Sequence, residues 1–477
     1  MSENLCFIPS CASEYTRGHP LLFHFLGGIW IKIFGSDFFS VRIFALSISL
    51  SLQLSFFYVA SKLLNPKLAF FSSVILMLQN IIFAQSTFVF PEILLATFGV
   101  WTLYFYLIEK KIFYFISGLL LCLVKEQGII LIASLTIWEI IKSIKTFGLK
   151  NIFTKIHLMR AIYVLSPLIG IFIFLFLQKT QKGYWFYPEH LNLVKHKIND
   201  LIYQFRVASE LIWIKSGRYV MTLILLTSFL LYGKIKPLAT RIVLLGLLFI
   251  LFKIASGKWE LPFYFSLSVS LLLLITIIYR FVFSENEIKF KTEIIGASVF
   301  FIIMYIIFCS FNFFTDRYLA FVFPIFILIS FGMIDEWINS QKLKTFIFLS
   351  ISLSGIYFLY NEKGFGDTSP RNYQAILLQK KVIDYAIRSG MNKKNLMASY
   401  VMTNNLSNPD AGYVQENQKF SNVINIHLEG MSLPEYVIEI PFEKDKNIND
   451  FIKKHTLSKI EKITVGDAHA NILKVSK

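Results

Sequence analysis

Residues 293–311 read EIIGASVFFIIMYIIFCSF, and no charged side chain follows Glu293 before the run ends at Phe311. A helix of this length is about 28 Å long, close to the thickness of the hydrocarbon core of a bilayer. A backbone in lipid must satisfy its hydrogen bonds internally, which a helix does. The run therefore predicts a membrane-spanning helix.

The rest of the chain has the same apolar character. Of its 477 residues, 55% are hydrophobic and 16% are charged, and the mean hydropathy is +0.59, whereas soluble domains are less apolar. Similar runs predict twelve spans, at 41–61, 68–87, 92–108, 112–124, 128–141, 159–178, 218–232, 239–255, 261–280, 293–311, 317–334 and 343–360. The two runs that flank Lys125-Glu126 are short enough to form one broken helix instead.

Basic residues lie mainly in the short loops between these runs, and the formal net charge is +17. Alternating the twelve spans puts six basic loops on one side, which the positive-inside rule assigns to the cytoplasm. The segment 179–217 and everything after Tyr360 then lie on the outer side. No nucleic-acid-binding signature accompanies the basic residues, so they do not indicate a nucleic acid partner.

The patterns predict three regions: an outer first loop (1–40), a transmembrane domain (41–360) and a soluble domain (361–477). In the first loop, Leu21–Phe34 is apolar but short, which favours an interfacial helix. After Tyr360 the composition becomes mixed and charged, and residues 436–440 read as a strand. The expected fold is an α-helical polytopic membrane protein with a small C-terminal α/β soluble domain that has its own core.

Ionisable side chains at the ends of apolar runs are costly, so each is a candidate functional residue. Four places stand out, all on the predicted outer side: Glu14 with Arg17 and His19; Pro91-Glu92; Lys125-Glu126; and Asp316-Arg317-Tyr318. Sugar transfer from a lipid phosphate needs a cation on the departing phosphate and a carboxylate that activates the acceptor. His19, Lys125 and Arg317 are suitable phosphate partners.

Each place also has a structural interpretation. Lys125 and Glu126 could pair with each other at a helix break, and Glu92 could cap the helix that it begins. Arg317 could be a snorkelling residue at the membrane interface, and His19 could be an ordinary loop residue.

The order and spacing of these residues resemble a known signature. Gly18-His19-Pro20-Leu21-Leu22-Phe23, Phe34-Gly35 and Val41-Arg42 resemble the "HPPL…lfG…R" signature of GT-C glycosyltransferases of the protein O-mannosyltransferase and aminoarabinose-transferase type. Pro91-Glu92-Ile93-Leu94-Leu95, the "KE.G" break in Leu123–Gly128, and Asp316-Arg317-Tyr318 with Pro324 continue the match. Asn372-Tyr373, Ile383-Asp384-Tyr385 and 408–414 resemble, more weakly, the outer domain of a bacterial subset.

The resemblance implies a 13-span fold whose outer cavity takes a polyprenyl-phosphate sugar, with a first-loop acid as catalytic base and basic residues on the phosphate. The site residues expected on this basis are Glu14 and Glu92 as catalytic carboxylates, His19, Lys125, Arg317 and Tyr318 on the donor phosphate, and Glu126 and Arg42 as further members. Arg42 can also be interpreted as an interfacial anchor. The family's first span and its acidic motif are expected upstream of Met1, so Glu14 is the nearest substitute for the base, ahead of Glu3.

The leading hypothesis is a glycosyltransferase of the bacterial cytoplasmic (inner) membrane that acts on a lipid, glycan or protein acceptor at the outer face. A transporter or lipid flippase would also suit twelve spans, but the two halves of the chain show no convincing similarity. A non-catalytic relative is the third alternative. No cofactor is indicated: the sequence has no His/Cys/Asp cluster at metal-ligand spacing, and a role for a divalent metal stays open.

Overall fold

The computed structural model describes residues 5, 7–11, 18–148, 154–192, 194, 197–222, 290–312, 314–338, 340–426 and 432–476. Up to Asn361 the described chain is mostly helical. Its helices are α1 (Leu22–Phe34), α2 (Phe38–Leu63), α3 (Pro66–Met77), α4 (Asn80–Gln85), α5 (Glu92–Leu107), α6 (Lys111–Val124), α7 (Gly128–Phe147), α8 (Lys155–Leu165), α9 (Leu168–Lys182), α10 (Pro188–Asn192), α11 (Ile198–Trp213), α12 (Phe290–Phe311), α13 (Phe323–Trp337) and α14 (Gln341–Asn361). A 3-10 helix, Asp316–Phe321, precedes α13.

The lengths of the described helices support only some of the predicted spans. By length and composition, three described helices could cross a membrane: α2, residues Glu293–Phe311 of α12, and α14. Helices α8 and α9 would add a fourth if they form one span, although they are bent by 57°. Helices α1, α3, α5, α6 and residues Phe323–Asp335 of α13 are apolar but shorter. The predicted number of twelve spans is not confirmed. The predicted spans 239–255 and 261–280, and residues 223–232 of the predicted span 218–232, lie outside the described residues.

Three predicted spans are not single α-helices. The run 68–87 forms α3 and α4, which are separated at Leu78-Gln79. The run 159–178 bends between α8 and α9 at Pro167, which has no N–H to donate to the preceding turn. The run 317–334 begins in the 3-10 helix and continues as α13, where Pro324 occupies the first turn, a position that suits proline.

Helix α11 lies in the segment 179–217, which the charge alternation predicted as an outer loop. It buries Leu211, Ile212 and Trp213 and packs against α12. Ile198, Leu201 and later apolar residues recur at helical spacing, so hydrophobic periodicity could have predicted this helix.

Helix α5 lies among α2, α6, α12, α13 and the 3-10 helix. A Cβ atom on Gly99 of α5 would lie 2.3 Å from the ring of Phe321. The 3-10 helix can therefore approach α5 this closely only because residue 99 is glycine. This packing holds the segment that begins at Asp316 beside the N-terminal half of α5.

A buried polar cluster lies at the C-terminal end of α5. The hydroxyl of Tyr106 donates to Glu139 Oε2 over 2.8 Å, and Lys142 Nζ lies 2.8 Å from the same oxygen. Lys142 also pairs with Glu293 of α12. The cluster thereby joins α5, α7 and α12 at the end of α5 that is farther from Glu92.

After α14 the chain forms a five-stranded sheet with helices. The strands are β1 (Leu396–Met397), β2 (Val423–Ile424), β3 (Tyr436–Glu439), β4 (Leu457–Val465) and β5 (Ala468–Val475), in the order β2-β1-β3-β5-β4. Strand β1 is parallel to β2 and β3, and β5 is antiparallel to β3 and β4. The helices are α15 (Asn372–Arg388), α16 (Tyr400–Ser407) and α17 (Lys446–Lys454). The predicted class, a helical membrane protein with a small C-terminal α/β unit, is confirmed, and the predicted strand at 436–440 is β3.

Glu443 occupies a short turn after β3, where its carboxylate receives hydrogen bonds from Ser399 and from Gln379 Nε2, the latter over 2.9 Å. Burial raises the pKa of Glu443 above its ordinary value of 4.5, and repulsion from Asp445 raises it further, against the effect of these hydrogen bonds. A raised pKa means that Glu443 favours the folded state when protonated, and that this stability is lost as the pH rises through the pKa of the folded protein.

Replacing Glu443 with Gln is therefore expected to raise the melting temperature of the full chain at pH 7 by a few degrees. The gain should shrink as the pH falls from the raised pKa of folded Glu443 towards 4.5 and be absent below it, because Glu443 is then protonated in the folded and in the unfolded state. Thermal unfolding at pH 7 and at about pH 4 tests this. Glu416→Gln is the control, since that carboxylate is 73% exposed. A loss of stability at pH 7 would contradict the expectation.

Candidate active site

Glu92, the first residue of α5, is at the centre of a buried ionic cluster. Its side chain is 1% exposed, and its Oε1 accepts hydrogen bonds from Lys125 Nζ over 2.8 Å and from Arg317 Nε over 3.4 Å. Its Oε2 is buried without a hydrogen-bond partner. The carboxylate therefore compensates two cations that come from distant parts of the chain.

Lys125 lies in the break between α6 and α7, where its backbone is extended. Gly128 allows the chain to turn directly into α7, because a Cβ atom there would lie 2.9 Å from the carbonyl oxygen of Leu121. The Lys125 side chain is 4% exposed, and its ammonium group lies 3.9 Å from the centre of the Tyr318 ring, a cation–π contact. Lys125 is thus fixed between a carboxylate and an aromatic face.

Tyr318 is held in turn by the break between α6 and α7 and by α12. The hydroxyl of Tyr305 lies 3.0 Å from both the carbonyl oxygen of Tyr318 and Gln127 Oε1. The sequence interpretation did not single out Tyr305 or Gln127, because a tyrosine and a glutamine carry no charge whose burial would be costly.

Arg317 is the more accessible of the two cations, with 24% of its side chain exposed. Its guanidinium lies 4.3 Å from the centre of the Phe90 ring, and its Nη1 donates to Asp367 Oδ2 over 2.7 Å. Asp367 belongs to the loop between α14 and α15 and is 31% exposed. The sequence interpretation missed Asp367, since an aspartate in a polar loop gives no signal.

His19 and Glu126 form a second pair, with Nδ1 and Oε2 2.9 Å apart. Their side chains are 29% and 32% exposed. Since Lys125 pairs with Glu92, the interpretation of Lys125 and Glu126 as a self-contained pair does not describe the structure.

Arg42 lies apart from this cluster. Its Nη1 donates to the carbonyl oxygen of Thr87 over 3.1 Å, and its Nη2 donates to the hydroxyl of Tyr413 over 2.8 Å. Phe38 of α2 also packs against Tyr413. Arg42 thus connects α2 to the loop after α16, and its contacts favour a role in holding the C-terminal α/β unit.

Glu14, with Arg17, lies outside the described residues. Among the described residues, no group of three His, Cys, Asp or Glu side chains could hold a metal ion. The structure thus brings together Glu92, Lys125, Arg317 and Tyr318, with the His19–Glu126 pair attached next to Lys125.

The N-terminal third of the chain matches a known family. Residues 18–171 match the sequence model of the dolichyl-phosphate-mannose-protein mannosyltransferases. This range contains His19, Glu92, Lys125 and Glu126, and it ends before Arg317. The resemblance to GT-C glycosyltransferases that the motifs predict is confirmed for this range.

Two crystal structures of ArnT from Cupriavidus metallidurans are similar to the whole chain at a low level. The structure bound to undecaprenyl phosphate has a TM-score of 0.42 and 11% sequence identity, covering 96% of this chain and 88% of ArnT. The apo structure has a TM-score of 0.40 and 12% identity, covering 95% and 87%. No curated protein matches the chain in sequence.

Proposed function

We propose that this chain is a membrane glycosyltransferase that moves a sugar from a polyprenyl-phosphate-linked donor to a lipid, glycan or protein acceptor. The observation that carries the proposal is the cluster in which Glu92 fixes Lys125 and Arg317, because two cations held together suit a phosphate group. The family match over residues 18–171 supports the same reaction class.

Arg317 is the proposed direct ligand of the donor phosphate, since its guanidinium is partly exposed and presents paired N–H donors. Lys125 contributes a fixed positive charge behind it. When the bond between the sugar C1 and the phosphate oxygen breaks, its electron pair stays on that oxygen, and both cations stabilise the resulting charge. Tyr318 holds Lys125 through its ring. Glu92 acts mainly by positioning the two cations, because its carboxylate is already engaged by both.

The acceptor must lose a proton as it attacks the sugar C1. The His19–Glu126 pair supplies a base beside the cluster: Glu126 holds the imidazole at Nδ1, and Nε2 of His19 takes the proton. Glu14 is a second candidate for this role and lies outside the described residues. The basic loops of the sequence support a site at the outer face of the bacterial cytoplasmic membrane, with the sheet domain outside the cytoplasm.

Titration of the full chain in lipid nanodiscs with undecaprenyl phosphate, and with undecaprenol as the matched lipid without phosphate, tests the binding part of the proposal. We expect saturable binding of the phosphate form alone. Mass analysis of envelope lipids and glycans from a deletion strain tests the transfer part, and the expected result is the loss of one sugar modification. Binding that does not distinguish the two lipids would contradict the proposed donor. Solute uptake by vesicles without any donor lipid would instead favour a transporter.

A further inference from the structure

The contact between Arg317 and Asp367 occupies the exposed side of the proposed phosphate site. Glu92 lies behind Arg317 and is almost fully buried, whereas Asp367 approaches from the partly exposed side over 2.7 Å. A carboxylate and a phosphate both use their oxygens to accept the paired N–H donors of a guanidinium. Arg317 therefore already holds an anion where the donor phosphate is expected to bind.

Charge balance supports the same conclusion. Glu92 and Asp367 carry two negative charges, and Lys125 and Arg317 carry two positive charges, so these four groups are neutral together. A phosphate that enters without displacing Asp367 would add uncompensated negative charge to a partly buried site, which is unfavourable. If Asp367 leaves, the two positive charges of Lys125 and Arg317 exceed the single negative charge of Glu92. The excess positive charge then attracts the phosphate.

The loop that carries Asp367 contacts both ends of helix α4. Gln85 Nε2, at the end of α4, donates to the carbonyl oxygen of Asp367 over 2.6 Å. Asn80 Nδ2, at the start of α4, donates to Glu362 Oε2 over 2.9 Å. The backbone of Asp367 is thus held by α4 whether or not its side chain pairs with Arg317.

We propose that Asp367 is an internal substitute for the donor phosphate on Arg317, and that the polyprenyl phosphate binds by displacing it. The inference rests on the proposed function. It makes Asp367 a determinant of donor affinity, since Arg317 is available to the phosphate only in the fraction of molecules that have released Asp367.

The full chain with Asp367→Asn, in nanodiscs titrated with undecaprenyl phosphate, tests the proposal. A partly exposed Arg–Asp pair contributes modestly, so we expect the variant to bind the lipid about two- to fivefold more tightly than the unmodified chain. Asp367→Glu keeps the charge and should bind within about twofold of the unmodified chain. Asp384→Asn is the matched control, because Asp384 is similarly exposed and pairs with Lys380 within α15, and the affinity of this variant should not change.

A double variant provides a second measurement. In a chain that already carries Arg317→Ala, Asp367→Asn should no longer increase the affinity for undecaprenyl phosphate, because its effect acts through Arg317. Unchanged or weaker binding by a folded Asp367→Asn variant, or an equal gain in the Arg317→Ala background, would overturn the inference while leaving the proposed function standing. Absence of binding by the unmodified chain would instead overturn the proposed function.

Discussion

Replacement of Glu92 with Gln is expected to lower the free energy of unfolding by about 3–5 kcal/mol, because it leaves a buried cation without its counter-charge. The Lys125 side chain is 4% exposed, and its ammonium lies 2.8 Å from the Glu92 carboxylate. Water therefore cannot hydrate this ammonium group once the carboxylate charge is removed. Arg317 would lose the same partner. Thermal unfolding of the purified chain in nanodiscs measures the effect. Glu109→Gln is the control, because Glu109 is 77% exposed where it pairs with Arg160 and should contribute about 1 kcal/mol or less.

A double variant separates the loss of an ion pair from general damage. Glu92→Gln combined with Lys125→Met removes both charges together and should recover most of the lost stability, because a matched pair of apolar or neutral groups can replace a buried ion pair. The double variant should still bind undecaprenyl phosphate weakly, because one of the two cations is gone. If it is no more stable than Glu92→Gln alone, the pairing of Glu92 with Lys125 is not what stabilises this region.

Replacement of Arg317 with Ala is expected to reduce sugar transfer on the order of 10²–10³-fold, because the departing phosphate loses its direct ligand. Arg317 is 24% exposed and Lys125 keeps Glu92 as its partner, so the melting temperature should change much less than in the Glu92 variant. Release of polyprenyl phosphate from a labelled donor measures the transfer.

Arg317→Lys tests whether charge or geometry matters at this position. Lysine keeps the positive charge but not the planar pair of donors, and it should recover only part of the transfer. Arg388→Ala is the control, since Arg388 is exposed in the last turn of α15. Full transfer by a folded Arg317→Ala variant would refute the role given to this residue.

The sequence predicts the centre of the candidate site because charges beside apolar runs are costly. Glu92, Lys125 and Arg317 could be singled out on that ground, and the structure places them in contact. Asp367 lies in a polar loop, where a carboxylate costs little, so only the three-dimensional contact with Arg317 reveals it. Arg42 was evident as a charge at the start of a span, but its partner Tyr413 is 371 positions away in sequence.

The sequence likewise predicts some features of the fold and not others. Apolar composition identifies the helical region, and the alternation at 436–440 identifies β3. Composition does not reveal where a helix breaks, because the residues at the break between α3 and α4 are as compatible with a helix as their neighbours. Helix α11 was missed for a different reason: its polar face lowers its mean hydropathy, although its apolar residues recur at helical spacing.

The polar cluster at the C-terminal end of α5 has a mechanical consequence. Glu92 fixes the first residue of this helix, and Tyr106 fixes a point about 21 Å further along its axis. Rotation or sliding of α5 would break buried polar contacts at both ends at once. Helix α5, which carries Glu92, therefore resists deformation. The flexibility that a bulky lipid needs to enter and leave the site must come from the chain that surrounds this helix.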